Sequence, residues 1–374
     1  MPTEVLTKSA VLTPDTGQVP VPSDISACGA PSRAPWNEVL APYARASLPK
    51  GLLGLATSVV PYLALSVAMY LSLSVSYLLT LALAVPTAGF LVRTFIVFHD
   101  CTHGSYLPSK RANTWVGSTL GLFTFSSFAS WRHAHLVHHG TAGDLDRRGT
   151  GDVPTKTVAE YLAMSDREQL MYRLFRHPAL MFGLGPFVAM IIQPRIVPKD
   201  ARPRIKRRVR ATNLALFLLI ATLCWLLGPL NYLLIELPTV MLAGAAGIWL
   251  FYVQHSFEDV YWETGDRWTY ADAALRGSSY LKLPKVLQFF SGNIGLHHVH
   301  HLSARIPNYN LQRAHDENDI FHDVPVLTLA DGIRAVKLKL YDEELQQMVG
   351  YPSARQAETQ GDGLNEPVAV PAVS

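Results

Sequence analysis

The sequence predicts an all-α integral membrane protein, with four transmembrane helices in two hairpins. Three observations predict it. The composition is too apolar for an ordinary soluble domain, with 49% hydrophobic and 16% charged residues, where soluble chains carry roughly a quarter charged. Forty-two consecutive residues, Gly51 to Val92, contain no Asp, Glu, Lys, Arg or His. A second apolar stretch, Ala211 to Gln254, repeats the pattern around a Gly-Pro break. The net charge of +3 is small and the basic residues are not interleaved with aromatics, which excludes nucleic acid as a partner. Three cysteines, Cys28, Cys101 and Cys224, without a CxxC spacing, imply neither a disulfide framework nor a thiolate cluster.

Residues 1–34 are rich in Pro, Ser, Thr, Ala and Gly, which predicts a disordered tail. Residues 1–20 lack the basic start and apolar core of a cleavable signal peptide. A spanning helix needs roughly 20 apolar residues, so the first run is expected to cross twice, over about 51–72 and 76–98, joined by the small polar turn SLSVS at 72–76. The second run crosses as 211–228 and 232–254, with GPLNY at 228–232 for its turn and Glu236 near one end. Two shorter apolar pieces, 115–128 and 181–192, are expected in the interface or as re-entrant segments. The stretch RIVPKDARPRIKRRVR at 195–210 sets eight basic residues against one acidic just before the third span, which puts that side and both termini in the cytoplasm. One domain, 35–345, thus divides into spans and a cap of 99–210 and 255–345, and residues 346–374 form a second tail expected to be disordered.

The cap carries the chemistry. His99 and His103 follow the second span, HAHLVHH at 133–139 lies between the second and third, His255 ends the fourth, and HHVHH at 297–301 follows it. All fall on one side of the membrane. In a helix, positions i, i+3 and i+4 share a face, so His99 with His103, His135 with His138 and His139, and His297 with His300 and His301 each form a pincer of imidazoles. Neutral imidazole suits iron, copper or zinc, whereas calcium and magnesium want oxygen. One zinc needs only about four ligands, while eight box histidines with His255 fill two sites, so the pattern asks for a dinuclear centre. Chance is a poor rival: with 14 histidines in 374 residues, an HxxHH triple is expected about 0.02 times per chain. His133 and His298 lie off the shared faces, and His177, His315 and His322 have no partner at ligand spacing.

The boxes HDCTH, HLVHH and HHVHH, in that order around two apolar hairpins, resemble those of the membrane fatty acid desaturases. WRHAHLVHHG, WLFYVQHSFEDVYWE and NIGLHHVHHLSARIPNYNL resemble the bacterial acyl-lipid branch in particular, and the similarity covers about residues 50–345. The resemblance implies four transmembrane helices under a cytoplasmic cap, with two iron ions held by His99, His103, His135, His138, His139, His255, His297, His300 and His301. It further implies O2 as co-substrate and a cis double bond introduced into the acyl chain of a membrane lipid, with a lean towards the Δ12 position. A separate electron donor, a ferredoxin or small cytochrome with its reductase, and a bacterial inner membrane complete the expectation. Asp100, Glu258 and Asp259 become candidates for fixing imidazole tautomers, with Asn293 and His315 as further neighbours of the site. Phe251 stands four before His255, where some relatives place a polar residue, and Trp131 and Trp249 are read as packing or interface residues.

Soluble di-iron proteins use Glu ligands and ExxH pairs, and this sequence has no ExxH and no HExxH. Hydroxylases and ketolases share the boxes, so an acyl or alkyl hydroxylase or ketolase is the alternative. A metal-binding transporter or sensor would need ionisable residues along its spans, where only Glu236, near one end, is expected. The basic run at 195–210 serves equally as a topology signal, a lipid headgroup contact or a landing site for an acidic donor.

Overall fold

The structure is a computed structural model that describes residues 35–352 apart from Pro198 and Asp200. The tail expected over 1–34 and most of that expected over 346–374 lie outside the described residues. A short helix α1 (Pro35–Leu40) leads into α2 (Leu48–Ser72), which starts with a proline in its first turn, a position where the missing N–H has no partner to lose. After the turn at 73–76, α3 (Tyr77–His103) returns. Helices α4 (Lys110–Phe123) and α5 (Phe128–Thr141) follow, then strand β1 (Lys156–Thr157), α6 (Val158–Leu162) and α7 (Asp166–Phe175). The second hairpin is α8 (Pro203–Leu227) and α9 (Pro229–His255), turned by Gly228 at φ 84° with Pro229 opening the return helix. Beyond it come α10 (Tyr270–Leu275), β2 (Tyr280–Leu281), α11 (Lys285–Phe290), α12 (His297–Leu302), α13 (Asn308–Asp316), β3 (Val326–Leu327), α14 (Leu329–Ala335), β4 (Leu340–Asp342) and β5 (Gln347–Val349).

The four helices α2, α3, α8 and α9 are long and apolar enough to cross a membrane, as the sequence predicts. At 25 to 27 residues and 1.5 Å per residue they reach about 38–40 Å, more than the ~30 Å hydrocarbon core. Their excess length matters at α3, which runs five residues past its expected end and keeps the first histidine box helical. α3 packs on both α2 and α9, and α9 on α8. Between them lies an apolar core that includes Leu91, Val92, Leu216, Val240, Leu250 and Val253. Arg93 is an ionisable residue of α3 that the expectation of a lone Glu236 leaves out; its guanidinium stacks on the Phe289 ring at 4.0 Å and donates to the Phe289 carbonyl.

The two short apolar pieces behave differently. Residues 115–128 split between α4 and α5 and are too short to cross. Residues 180–195 form irregular helix, bent 55° from α7; counted with α7 as one span, this pair would make a fifth. The segment packs on α9, where Gly244 leaves room for Pro186 and Met190: a Cβ there would meet them at 2.7 and 2.8 Å. Gly244 lies about 16 Å along α9 from its His255 end, which fits a re-entrant element. The strands are minor but join distant parts: β1 pairs parallel with β4, β4 antiparallel with β5, and β2 parallel with β3. Because β5 pairs with β4, the folded cap continues beyond the boundary expected at 345.

Candidate metal centre

Each helix places its histidines for a local reason. His99 and His103 occupy the last turns of α3, which Gly104 ends in the left-handed conformation at φ 72°, a conformation free of Cβ strain only for glycine. His135, His138 and His139 lie on one face of α5, His255 is the last residue of α9, and His297, His300 and His301 lie on α12. The helix ends converge. His99, His103, His135, His139 and His300 form one group and His138, His255, His297 and His301 a second, with one ring nitrogen of each residue within 4.8 Å of the others in its group. The nine residues that the sequence singles out are the nine brought together. All are buried except His103, which is partly exposed.

The nitrogens face each other. In the five-residue group His135 Nε2 lies 2.9 Å from His99 Nε2 and 3.1 Å from His139 Nε2, which is 3.0 Å from His300 Nε2. In the four-residue group His255 Nε2 lies 3.1 Å from His138 Nε2 and 2.9 Å from His297 Nε2. Two nitrogens about 2.1 Å from one ion at a right angle lie about 3.0 Å apart, so these spacings fit shared coordination. Hydrogen bonding does not use the nitrogens up, since the buried His103 Nε2 and His301 Nε2 have no partner. A cation held by each group would satisfy such converging lone pairs. Burial, and then neighbouring imidazoles, holds His135, His139, His297, His300 and His301 well below the ordinary histidine range. They are therefore neutral at pH 7, the form that binds metal.

The outer nitrogens fix the rings. His99 Nδ1 is 3.0 Å from Asp100 Oδ1, and Asp100 Oδ2 accepts the Asn308 backbone N–H at 2.7 Å. His138 Nδ1 is 2.5 Å from Asp152 Oδ1, and His255 Nδ1 is 3.0 Å from the Gly277 carbonyl. Asn293 takes a positive φ of 62° in its turn and donates to the Asn308 carbonyl at 3.0 Å, bracing the segment that holds Asp100.

Other candidates fall elsewhere. Glu258 and Asp259 are exposed, because α9 stops at His255 and the chain turns outwards; they are not partners of the imidazoles. His315 reaches the third box only through His298, whose Nε2 lies 3.1 Å from His315 Nδ1. Burial and then His315 push His298 down to about 3, and it belongs to neither group. His133, His177 and His322 are exposed. Trp249 packs as expected, donating to the Gly332 carbonyl. Trp131 does more: its ring stacks on His135 at 4.3 Å between centroids. Phe251 fills its position with an aromatic ring 5.1 Å from His138. Sequence reasoning missed Asp152, although GTGD at 149–152, a carboxylate behind two glycines shortly after a histidine box, is a usable signal.

Comparison with known proteins agrees with the geometry. The family model for fatty acid desaturases matches residues 74–325. A fatty acid desaturase of Bacillus subtilis is 45% identical over 83% of this chain and 89% of its own length. More distant are two proteins of Synechocystis, an sn-1 acyl-lipid omega-3 desaturase (ferredoxin), 27% identical over 59% of this chain and 62% of its own, and an sn-1 oleoyl-lipid 12-desaturase, 26% identical over 61% and 65%. With its histidine groups, its four apolar helices and these matches, the chain belongs to the fatty acid desaturases, a family of oxidoreductases.

Proposed function

We propose that the protein is an integral membrane acyl-lipid desaturase that uses two iron ions, O2 and electrons from a separate ferredoxin or small cytochrome to introduce a cis double bond into a fatty acyl chain, at the Δ12 position. The observation that carries this reading is the division of nine imidazoles into groups of five and four at the ends of α3 and α9. His99, His103, His135, His139 and His300 would hold one iron, and His138, His255, His297 and His301 the other. When bound, the iron pair supplies the O2-derived oxidant that an unactivated methylene requires. The overall change takes two hydrogens from adjacent methylenes and, with two electrons and two protons, reduces O2 to two waters.

The chain supplies position and dryness. Leu91 and Val92 stand about two turns before His99 on α3, and Val253 two residues before His255 on α9, so the apolar core reaches the underside of the histidine groups. An acyl chain brought to that side would meet apolar surroundings that keep water from a reactive oxidant. Asp100 holds the His99 ring from outside. The Synechocystis relatives, an acyl-lipid omega-3 desaturase (ferredoxin) and an oleoyl-lipid 12-desaturase, support a lipid-borne acyl chain, a ferredoxin and Δ12 chemistry. The basic run at 195–210, which leads into the first turns of α8, supports a cytoplasmic cap.

Expression with a ferredoxin and its reductase, followed by gas chromatography and mass-spectrometric location of double bonds in total lipids, tests the reading. A new Δ12 unsaturated species is expected. Hydroxylated or oxidised chains would instead establish the hydroxylase alternative, and a double bond elsewhere would correct the position alone.

A further inference from the structure

We propose that Asp152 is the positioning residue of the four-histidine half of the centre, holding His138 through Nδ1 so that its Nε2 stays aimed at the ion. This rests on reading the nine histidines as a two-ion site. Asp152 Oδ1 lies 2.5 Å from His138 Nδ1, its Oδ2 accepts the Gly149 N–H at 3.1 Å, and its side chain is 8% exposed. A carboxylate that accepts from Nδ1–H leaves the lone pair on Nε2, orients the ring and raises its basicity as a ligand.

The loop is shaped for this contact. Gly149 and Gly151 take φ of 121° and 82°, and a Cβ on Gly151 would come within 2.8 Å of the Ala134 carbonyl and 3.0 Å of His138 Cβ. Glycine therefore lets the backbone lie directly on α5 over His138 and deliver the carboxylate from outside the helix. The rest of that half has weaker support: His255 Nδ1 has only the Gly277 carbonyl, and the buried His297 Nδ1 has no partner. The five-histidine half has one more imidazole and its own carboxylate, Asp100. Loss of Asp152 should therefore empty one half and spare the other.

The test uses full-length protein reconstituted with 57Fe, comparing wild type, Asp152→Asn, Asp152→Glu, Gly151→Ala and the exposed Asp259→Asn. Iron per chain and Mössbauer spectra are measured alongside thermal unfolding. Asp152→Asn and Gly151→Ala should weaken one site by about 10–100-fold, so that iron falls towards about one per chain and one spectral component disappears. Asp152→Glu should restore that component in part, and Asp259→Asn should match wild type. An Asp152→Asn protein with wild-type iron and an unchanged spectrum would overturn the proposal, as would equal loss of both components. A wild type that cannot hold two irons would instead overturn the function reading itself.

Discussion

In each hairpin the two helices do different work. Over their most apolar windows, 50% of α3 and 33% of α9 is buried inside the protein, against 17% of α2 and 11% of α8. The buried pair are the two that end in histidines; the exposed pair carry none. α2 shows lipid-facing residues such as Leu53 and Leu71, and α8 shows Leu218 and Trp225, whereas α3 buries Leu91, Ile96, Val97 and Phe98 immediately before its box. Apolarity is common to all four helices, so it specifies the bilayer. Small and polar residues at particular positions specify which helix approaches its neighbours, because packing between helices in lipid depends on close contact rather than on hydrophobicity. Outer helices anchor; inner helices aim.

This contrast can be broken in steps. The largest effect is expected at the aimed ends: His300→Ala or His138→Ala should reduce desaturation to background and lower bound iron, with membrane insertion intact by fractionation. Next, Asp100→Asn should lower activity or iron affinity by about 10–100-fold, read by iron titration and turnover on the same preparation. Gly244→Leu, on the inner face of α9, should cost roughly 1–3 kcal/mol by overpacking against Pro186 and Met190, seen as a lower unfolding temperature in detergent. The smallest effect belongs to the outer helices: Leu218→Ala, at a residue 56% exposed, should change stability by less than about 0.5 kcal/mol. A Leu218→Ala loss as large as that of Gly244→Leu would erase the distinction between the two kinds of helix.

The sequence disclosed what depends on local spacing. Helical periodicity places His135, His138 and His139 on one face whatever the rest of the chain does, and the hydrophobic runs locate the four long helices, although α8 begins at Pro203, eight residues before its apolar run. Partners that come from distant backbone were not legible in the same way. Asp152 meets His138 because two glycines fold a loop back on α5, and Asn308 meets Asp100 from another part of the chain. Adjacency misled in the other direction: Glu258 and Asp259 sit next to His255 in sequence, but the helix ends there and carries them outwards. Asp100 meets His99 instead because α3 stays helical past it and keeps its side chain buried.

The parallel pairing of β1 with β4 bears on how the protein is made. At about 5–20 residues per second, the ribosome finishes α5 some 10–40 s before it finishes β5. Until His301 has been made, roughly 8–32 s after α5 is finished, neither histidine group is complete. Incomplete imidazole pincers discriminate poorly and favour copper over iron. Because each group needs the third box, the half-built pincers stand open to the wrong metal until His301 has been made.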